Sequence, residues 1–335
     1  MPKVYFFGIP GRIGGAATKI RDLLMLLKDS LDICVVLNSR AELDLPDARS
    51  SIDAAGVELA FEEDLPNKMD GVALVICQTD LFTSGRAQRI KERGLKLFLS
   101  NEMMWPFTGE EEAVKAGLID RVLFVSKLQS GAFSELYHDI PSFETGNYVD
   151  ARRFKFVERQ REDIVVGRLS RPDPDKYSED FPTFYEALKL PRAKYHVMAW
   201  SDALHKKYCW HEFGDQWALF GAGVIPTDVF LQRLDLFVYT LGPLVKESWG
   251  RSVVEAMLTG AIPLVPTGHN FDALMESGST GYICNSFDAF FEAANRLYSD
   301  IRFRRKVSVD CADYARKKIC NPDTHRKLWM KCLTS

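Results

Sequence analysis

The chain has 335 residues, of which 46% are apolar and 27% charged, a composition typical of a globular protein rather than a disordered or fibrous one. At roughly 100–200 residues per domain, this length allows one large domain, favours two, and excludes a single small module. The formal net charge of −3 gives no general attraction for nucleic acid. No stretch approaches the ~18 apolar residues that a membrane helix requires.

The first residues lead directly into a strand-like run without the pattern of a signal peptide, which predicts a cytoplasmic protein. Seven cysteines are scattered without any C-x-x-C pair, so the sequence favours a reducing compartment over a disulfide framework. His205, Cys209 and His211 lie close together but lack the second ligand pair of a closed zinc site. We therefore expect no bound metal.

Short apolar or β-branched runs alternate with longer helical patterns along the whole chain, as in parallel sheets covered by helices on both faces. The sequence therefore predicts an α/β protein with two doubly wound halves, linked by the polar stretch Asp150–Glu162. The predicted strands of the first half are Lys3–Gly8, Ile33–Leu37, Val72–Cys77, Leu95–Ser100 and Arg121–Val125. Those of the second half are Asp163–Gly167, Tyr195–Met198, Trp217–Phe220, Leu236–Tyr239 and Ile262–Val265.

The first strand runs into a glycine-rich turn from Gly8 to Gly15 and then into a helical pattern. Backbone N–H groups in such a turn approach phosphates closely, so Gly14 and Gly15 are candidate phosphate-binding residues. The glycine spacing also fits a variant dinucleotide fingerprint, in which Arg40 after the second strand would suit the 2′-phosphate of NADP. A tight turn without a ligand is the third interpretation.

A second glycine turn follows the predicted strand Leu236–Tyr239 and separates two carboxylates, Glu247 and Glu255, that lie eight residues apart. N–H groups at a helix start favour anions, so this turn is a candidate for binding a nucleotide diphosphate, through Ser248, Trp249, Gly250, Arg251 and Ser252. Glu255 is a candidate to accept hydrogen bonds from ribose hydroxyls of such a nucleotide. Glu247 is a candidate to accept them from the hydroxyls of an attached sugar, near the carbon that reacts. The alternative for Glu255 is structural, because Ser252 to Glu255 also fits the S-x-x-E capping box.

This segment resembles the E-x7-E element of the retaining glycosyltransferases of family 4, which have the GT-B fold. The run Gly260–Leu264 resembles the G-x-P-V strand that follows this element in the family. The run Val166–Ser170 resembles the family's first donor-domain strand, and Asn147–Asp150 its N-G-V-D segment, with Tyr148 in place of glycine. The resemblance implies that Arg168 and Lys176 meet the donor diphosphate.

The resemblance implies two Rossmann-like, doubly wound domains facing across a cleft. We expect an acceptor-side domain at 1–150, a nucleotide-sugar domain at 151–310, and a helical tail at 311–335 that is a candidate to pack back on the first domain. The implied reaction is retaining transfer from a donor such as a UDP- or GDP-sugar, without a metal. The implied acceptors are sugars, glycans, lipid-linked molecules or other small molecules.

Members of the family usually have a histidine that faces the donor sugar, and this sequence has none at the corresponding place. The predicted strand Leu95–Ser100 is followed by Asn101 and Glu102 instead, which are candidate catalytic residues that would bind a sugar hydroxyl in its place. The aromatic residues of the same loop, up to Phe107, would offer a face for a sugar or a lipid, or would simply cover the sheet edge. The departure leaves open a catalytically weak nucleotide-sugar-binding partner subunit. A further alternative, an NADP-dependent oxidoreductase, rests on the turn Gly8–Gly15 and leaves the motifs of the second half unexplained.

Two further features involve charge. Asp173-Pro174-Asp175 matches the D-x-D by which another glycosyltransferase fold holds a metal, although Pro174 favours an exposed turn. Residues 41–70 carry a net charge of −7, and residues 301–335 carry +7. The basic tail is a candidate for peripheral contact with an anionic inner membrane surface, or it forms a solvated face.

Overall fold

The computed structural model describes residues 3–45, 47–160 and 163–335. The chain divides into two compact units, of which the first contains Met1–Tyr148 and Pro322–Ser335, and the second contains Val149–Asn321. The predicted linker Asp150–Glu162 begins the second unit, and its last two residues lie outside the described residues. No helix among the described residues is long and apolar enough to cross a membrane.

The first unit is built on one parallel sheet of seven strands in the order β3-β2-β1-β4-β5-β6-β7. The strands are β1 Lys3–Phe7, β2 Asp32–Leu37, β3 Glu58–Phe61, β4 Val72–Ile76, β5 Lys96–Ser100, β6 Arg121–Phe124 and β7 Ser142–Glu144. The helices that connect them are α1 Gly15–Leu27, α2 Ala48–Ala55, α3 Arg86–Glu92, α4 Glu110–Lys115 and α5 Lys127–Ala132.

The second unit repeats this architecture with six parallel strands in the order β10-β9-β8-β11-β12-β13. The strands are β8 Val165–Leu169, β9 Lys194–Trp200, β10 Trp217–Gly221, β11 Leu236–Val238, β12 Ile262–Pro266 and β13 Tyr282–Cys284. The helices are α6 Phe181–Ala187, α7 Asp202–Lys207, α8 Thr227–Leu231, α9 Arg251–Thr259, α10 Phe287–Ser299 and α11 Ile301–Tyr314.

The two sheets have the strand order of doubly wound folds, in which the chain reverses direction beside its first strand. The reversal lies between β1 and β4 in the first unit and between β8 and β11 in the second. Apolar side chains from both faces of each sheet form the cores, as the long apolar runs of the sequence predict. The predicted pair of doubly wound halves is therefore confirmed.

The last helix, α12 Pro322–Thr334, follows the second unit in sequence and packs in the core of the first. Its side chains Trp329, Cys332 and Leu333 are buried in the same apolar cluster as Leu23 and Leu27 of α1. The preceding part of the basic tail belongs to the second unit, where Arg316 donates hydrogen bonds to backbone carbonyls, one of them that of Leu258. The tail predicted as one segment is thus divided between the two units.

Candidate functional site

The second glycine turn forms the start of α9, as the sequence predicts. Gly250 is the residue before the helix, and its φ of +97° is a conformation that favours glycine. A Cβ atom at this position would lie 2.7 Å from the ring of Phe271, so the turn has no room for a side chain. Trp249 is buried directly before the turn, whereas Ser248 and Ser252 are only partly buried.

Glu255 does not form the capping box that its spacing from Ser252 allows. Gly250 occupies the cap position, which places Ser252 and Glu255 inside the helix. Glu255 instead accepts a hydrogen bond from Arg251 Nε at 3.0 Å, one helical turn away, and both side chains are about nine-tenths buried. The capping-box interpretation of Glu255 is therefore wrong, its structural contact is the ion pair with Arg251, and its binding of ribose hydroxyls remains a prediction.

Glu247 and Lys176 form an ion pair although 71 residues separate them in the sequence. Lys176 Nζ lies 2.9 Å from Glu247 Oε2, and the side chains are 12% and 18% exposed. The hydroxyl of Tyr239 donates to the same oxygen at 3.0 Å. A cation and a carboxylate therefore share one place beside the start of α9.

The pKa values of two side chains beside this ion pair, Tyr239 and His269, are shifted. Burial, with a smaller effect of the Glu247 carboxylate, raises the pKa of Tyr239 well above its ordinary value, so its hydroxyl remains a hydrogen-bond donor. His269 Nδ1 accepts the backbone N–H of Glu247 at 3.1 Å. Burial lowers the pKa of His269, which favours the neutral ring that this hydrogen bond requires.

Arg168 lies beneath these loops and is fully buried. Its guanidinium donates to the backbone carbonyl of Thr240 at 2.7 Å and to that of Lys176 at 3.0 Å. It also lies 3.8 Å from the centre of the Tyr177 ring and 5.0 Å from that of Tyr239, distances typical of cation–π contacts. Arg168 therefore fastens the loop of Lys176 to the loop that leads to Glu247, and contact with a donor would require these loops to separate.

The Asp173-Pro174-Asp175 segment forms a turn. Asp173 accepts the backbone N–H of Asp175 at 3.1 Å and begins a single 3-10 turn over Pro174–Lys176. Next to it, Gly242 packs so closely that a Cβ atom would lie 2.1 Å from the carbonyl oxygen of Asp175. Among the described residues, no group of three or more His, Cys, Asp and Glu side chains is placed to hold a metal ion.

Gly14 and Gly15 are exposed at the start of α1 in the first unit. Gly14 is the residue before the helix and has a φ of +92°. Both glycines have open space around them, since a Cβ atom at either position would meet no other atom within 4 Å. Their backbone groups are thus accessible at a helix start, and binding of a phosphate there remains a prediction.

Asn101 is buried and holds together the loop that follows β5. Its amide nitrogen donates to the Glu110 carboxylate at 2.8 Å and to the carbonyl of Trp105 at 3.1 Å, while its amide oxygen accepts from Met103 N. Glu110 also accepts from the Tyr137 hydroxyl. The amide group of Asn101 is therefore occupied within the loop instead of being presented to a sugar.

Glu102 lies at a φ of +71°, in the left-handed region, and its carboxylate is held from several sides. It accepts from Ser100 Oγ at 2.6 Å, from Asn147 Nδ2 at 3.3 Å, and from the ammonium group of Lys19. Lys19 is fully buried on α1 and also lies 5.5 Å from the centre of the Trp329 ring. Glu102 is thus fixed at the carboxyl edge of the sheet, with a side chain that is 10% exposed.

Sequence reasoning missed Lys19, although a signal for it exists. The buried face of α1 includes Ile20, Leu23 and Leu27, and Lys19 lies four residues before Leu23 on that face. A lysine at such a position must find a partner, because a buried ammonium group without one is costly. This position on the apolar face is the signal that could have indicated a buried ion pair for Lys19, although it does not identify Glu102 as the partner.

The chain matches no family model, and no curated protein matches it. Among solved structures it is similar to Anabaena HepE in complex with UDP and glucose, with 15% identity, full coverage of both chains and a TM-score of 0.78. It is also similar to TarM, with 11% identity, 100% and 99% coverage and a TM-score of 0.78. Sucrose-phosphate synthase from Thermosynechococcus elongatus matches with 11% identity, 99% and 98% coverage and a TM-score of 0.72.

The fold is GT-B. The similarity extends over the whole chain in each comparison, and both sheets have the parallel, doubly wound arrangement of Rossmann-like domains. The two Rossmann-like, doubly wound domains that the resemblance implies are therefore confirmed.

Proposed function

We propose that this protein is a retaining glycosyltransferase that transfers a sugar from a nucleotide-diphosphate sugar to an acceptor. The observation that carries this proposal is the Lys176–Glu247 ion pair beside the start of α9. The pair places a cation, suited to the donor diphosphate, next to a carboxylate that can bind sugar hydroxyls. The names of the similar structures support it, since HepE is in complex with UDP-glucose and with UDP.

In the proposed reaction, the second unit binds the donor. Lys176 and the backbone N–H groups at the start of α9 stabilise the negative charge that develops on the departing diphosphate. Glu247 binds the sugar as positive charge builds at the anomeric carbon. The bond between the anomeric carbon and the diphosphate oxygen breaks, the acceptor oxygen bonds to that carbon on the same face, and a phosphate oxygen of the leaving group takes the acceptor proton, so no dedicated general base is required. Because Lys176 and the start of α9 stabilise the leaving group, the proposed reaction requires no metal.

We propose that the first unit binds the acceptor, with the loop after β5 among its candidate residues, and that the exposed turn at Gly14 and Gly15 binds a phosphate group. Asn101 and Glu102 would act there as positioning residues, because their side chains are held by Glu110 and Lys19. A catalytically weak binding subunit remains the second candidate, since these internal contacts occupy the polar groups that would replace the family histidine.

The test is incubation of the full chain with radiolabelled nucleotide sugars, scoring donor binding, slow donor hydrolysis and transfer to added sugars. We expect a UDP- or GDP-sugar to bind and to turn over, and the anomeric configuration of the product, read by NMR, to match that of the donor. Binding without turnover would support the binding subunit. Binding of NADP instead of a nucleotide sugar would contradict both.

A further inference from the structure

A hollow of about 380 Å³ lies in the second unit, outside the carboxyl ends of β11, β12 and β13. These three strands are adjacent in the sheet, and ligands of open α/β sheets bind at this edge. One wall comes from the loop that Arg168 fastens, and the opposite wall comes from the starts of α6 and α10. The volume falls within the range of roughly 300–1,000 Å³ found for small-molecule sites.

Three polar side chains of this hollow are exposed and available for hydrogen bonds to a ligand. Asp180, Thr267 and Asn285 line it and are exposed. Within the part of the chain that the structure describes, these side chains make no hydrogen bond to another residue. The Asp180 carboxylate can accept hydrogen bonds, and the Thr267 hydroxyl and the Asn285 amide can each donate and accept them.

The apolar part of the hollow is an aromatic surface. Phe287 is 38% exposed there, and its ring packs edge-on against that of Phe184 with the centres 5.2 Å apart. Phe184 packs in the same way against Phe290, which holds the group of rings in place. An exposed ring beside groups that bind hydroxyls suits a molecule with one apolar face and several hydroxyls.

The side-chain charges of the hollow do not favour a phosphate ligand. No lysine or arginine is among the described residues that line it, and Asp180 carries a negative charge. His269, which also lines it, has a pKa lowered by burial and is neutral near pH 7. The electrostatics thus differ from those of the Lys176 region, which is suited to a diphosphate.

We propose that this hollow binds a neutral saccharide. Asp180, Thr267 and Asn285 bind its hydroxyl groups, and Phe287 packs against the face of the sugar ring that carries C–H groups. His269 lines the hollow and accepts the backbone N–H of Glu247, so the saccharide lies on the side of His269 that faces away from that backbone contact, in the same group of loops as the proposed donor site. The binding itself does not depend on the proposed transfer reaction.

The experiment titrates maltose and maltotriose into the full chain, without any nucleotide, and follows binding by calorimetry and by saturation-transfer NMR. Glucose 1-phosphate and tetramethylammonium serve as anionic and cationic probes. We expect the two neutral sugars to bind and both charged probes to bind more weakly. Phe287→Ala and Asp180→Asn should each weaken sugar binding by about tenfold, the scale of one lost ring contact or hydrogen bond.

Matched controls separate the site from general effects on folding. Val309→Ala on the exposed face of α11 and Asp288→Asn on α10 alter positions outside the hollow and should leave the affinity unchanged. The proposal is overturned if neither sugar binds, if only tetramethylammonium binds, or if Phe287→Ala and Val309→Ala have the same affinity. It is also overturned if UDP displaces the sugar and Lys176→Ala abolishes its binding, because the sugar would then occupy the donor site.

Discussion

Lys176 and Glu247 neutralise each other in the structure, and a bound diphosphate would compete with Glu247 for the same ammonium group. If the proposed donor binds here, the ion pair keeps the lysine oriented beforehand, and Lys176 would exchange Glu247 for the diphosphate on binding. Because both side chains are largely buried, removing one leaves the other without its neutralising charge. A substitution of either residue therefore also changes the electrostatic environment of the other.

We expect Glu247→Ala to lower turnover by about 10²-fold, equivalent to about 2.7 kcal/mol, because its contact with the sugar strengthens in the transition state. Affinity for UDP should stay the same or rise, since Lys176 no longer has an internal partner. Steady-state kinetics and calorimetry measure the two effects, with Glu292→Ala on the exposed face of α10 as the control. Full turnover, or a collapse of UDP affinity, would show that Glu247 has another role.

Arg168→Ala should reduce both stability and nucleotide affinity. Loss of the guanidinium leaves the carbonyls of Thr240 and Lys176 without their donor and opens a cavity, for an expected loss of about 2–4 kcal/mol in the free energy of unfolding. Denaturant titration with and without UDP measures both quantities. Arg168→Lys should restore little, because an ammonium group lacks the planar fork that reaches both carbonyls.

The control for this prediction is Arg171→Ala, an exposed arginine two residues beyond β8, which should change stability by less than about 0.5 kcal/mol. If Arg168→Ala weakens UDP binding while the free energy of unfolding stays at the wild-type value, then Arg168 binds the diphosphate directly.

Among the elements, the segment between β5 and α4 depends on a buried carboxylate. Glu110, the first residue of α4, accepts hydrogen bonds from Asn101, from the backbone of Phe107 and from Tyr137. Burial nevertheless raises its pKa, and these hydrogen bonds only partly oppose the shift. The contribution of the buried Glu110 carboxyl group to stability therefore depends on pH.

The sign of this effect follows from proton linkage. A carboxyl group with a raised pKa in the folded state binds more protons there than in the unfolded chain, so stability falls as pH increases from about 4.5 through the raised value. We expect Glu110→Gln to remove this part of the pH dependence, as measured by urea unfolding across that range. Glu111→Gln, on the exposed side of the same helix, should leave the slope intact. Equal slopes in all three proteins would contradict the assignment.

The sequence predicts the central strands of both sheets well because burial on two faces requires continuous apolar runs, as in Val72–Ile76 and Ile262–Pro266. It misses Glu58–Phe61, Ser142–Glu144 and Tyr282–Cys284, which are short strands at sheet edges, where one partner and partial exposure relax that requirement. The glycine turn before α9 can also be predicted, because its pattern lies within a few consecutive residues. The Lys176–Glu247 contact cannot be predicted in this way, because it joins residues that only the tertiary fold brings together.

On the scale of the whole molecule, α12 supplies a wall of the first unit's core. Trp329 is fully buried there and packs near the Lys19 ammonium group. We expect Trp329→Ala to destabilise this unit by about 3–5 kcal/mol, the usual cost of removing a large buried ring. Circular dichroism in a denaturant series measures the loss.

Trp105→Ala provides the comparison in the same unit, since Trp105 is 52% exposed and its loss should change stability little. Similar unfolding curves for the two variants would show that α12 contributes less to the core than its burial indicates.

The division of the first unit into two separated segments also bears on how the chain folds during synthesis. A ribosome releases residues 149–321, which form a continuous unit, before it releases the helix that completes the earlier one. At roughly 5–20 residues per second, the N-terminal sheet therefore waits many seconds with the α12-facing side of α1 uncovered. The nascent chain thus finishes its later domain first, and in that interval Leu23, Leu27 and the Lys19 cation are the surface that a chaperone would meet.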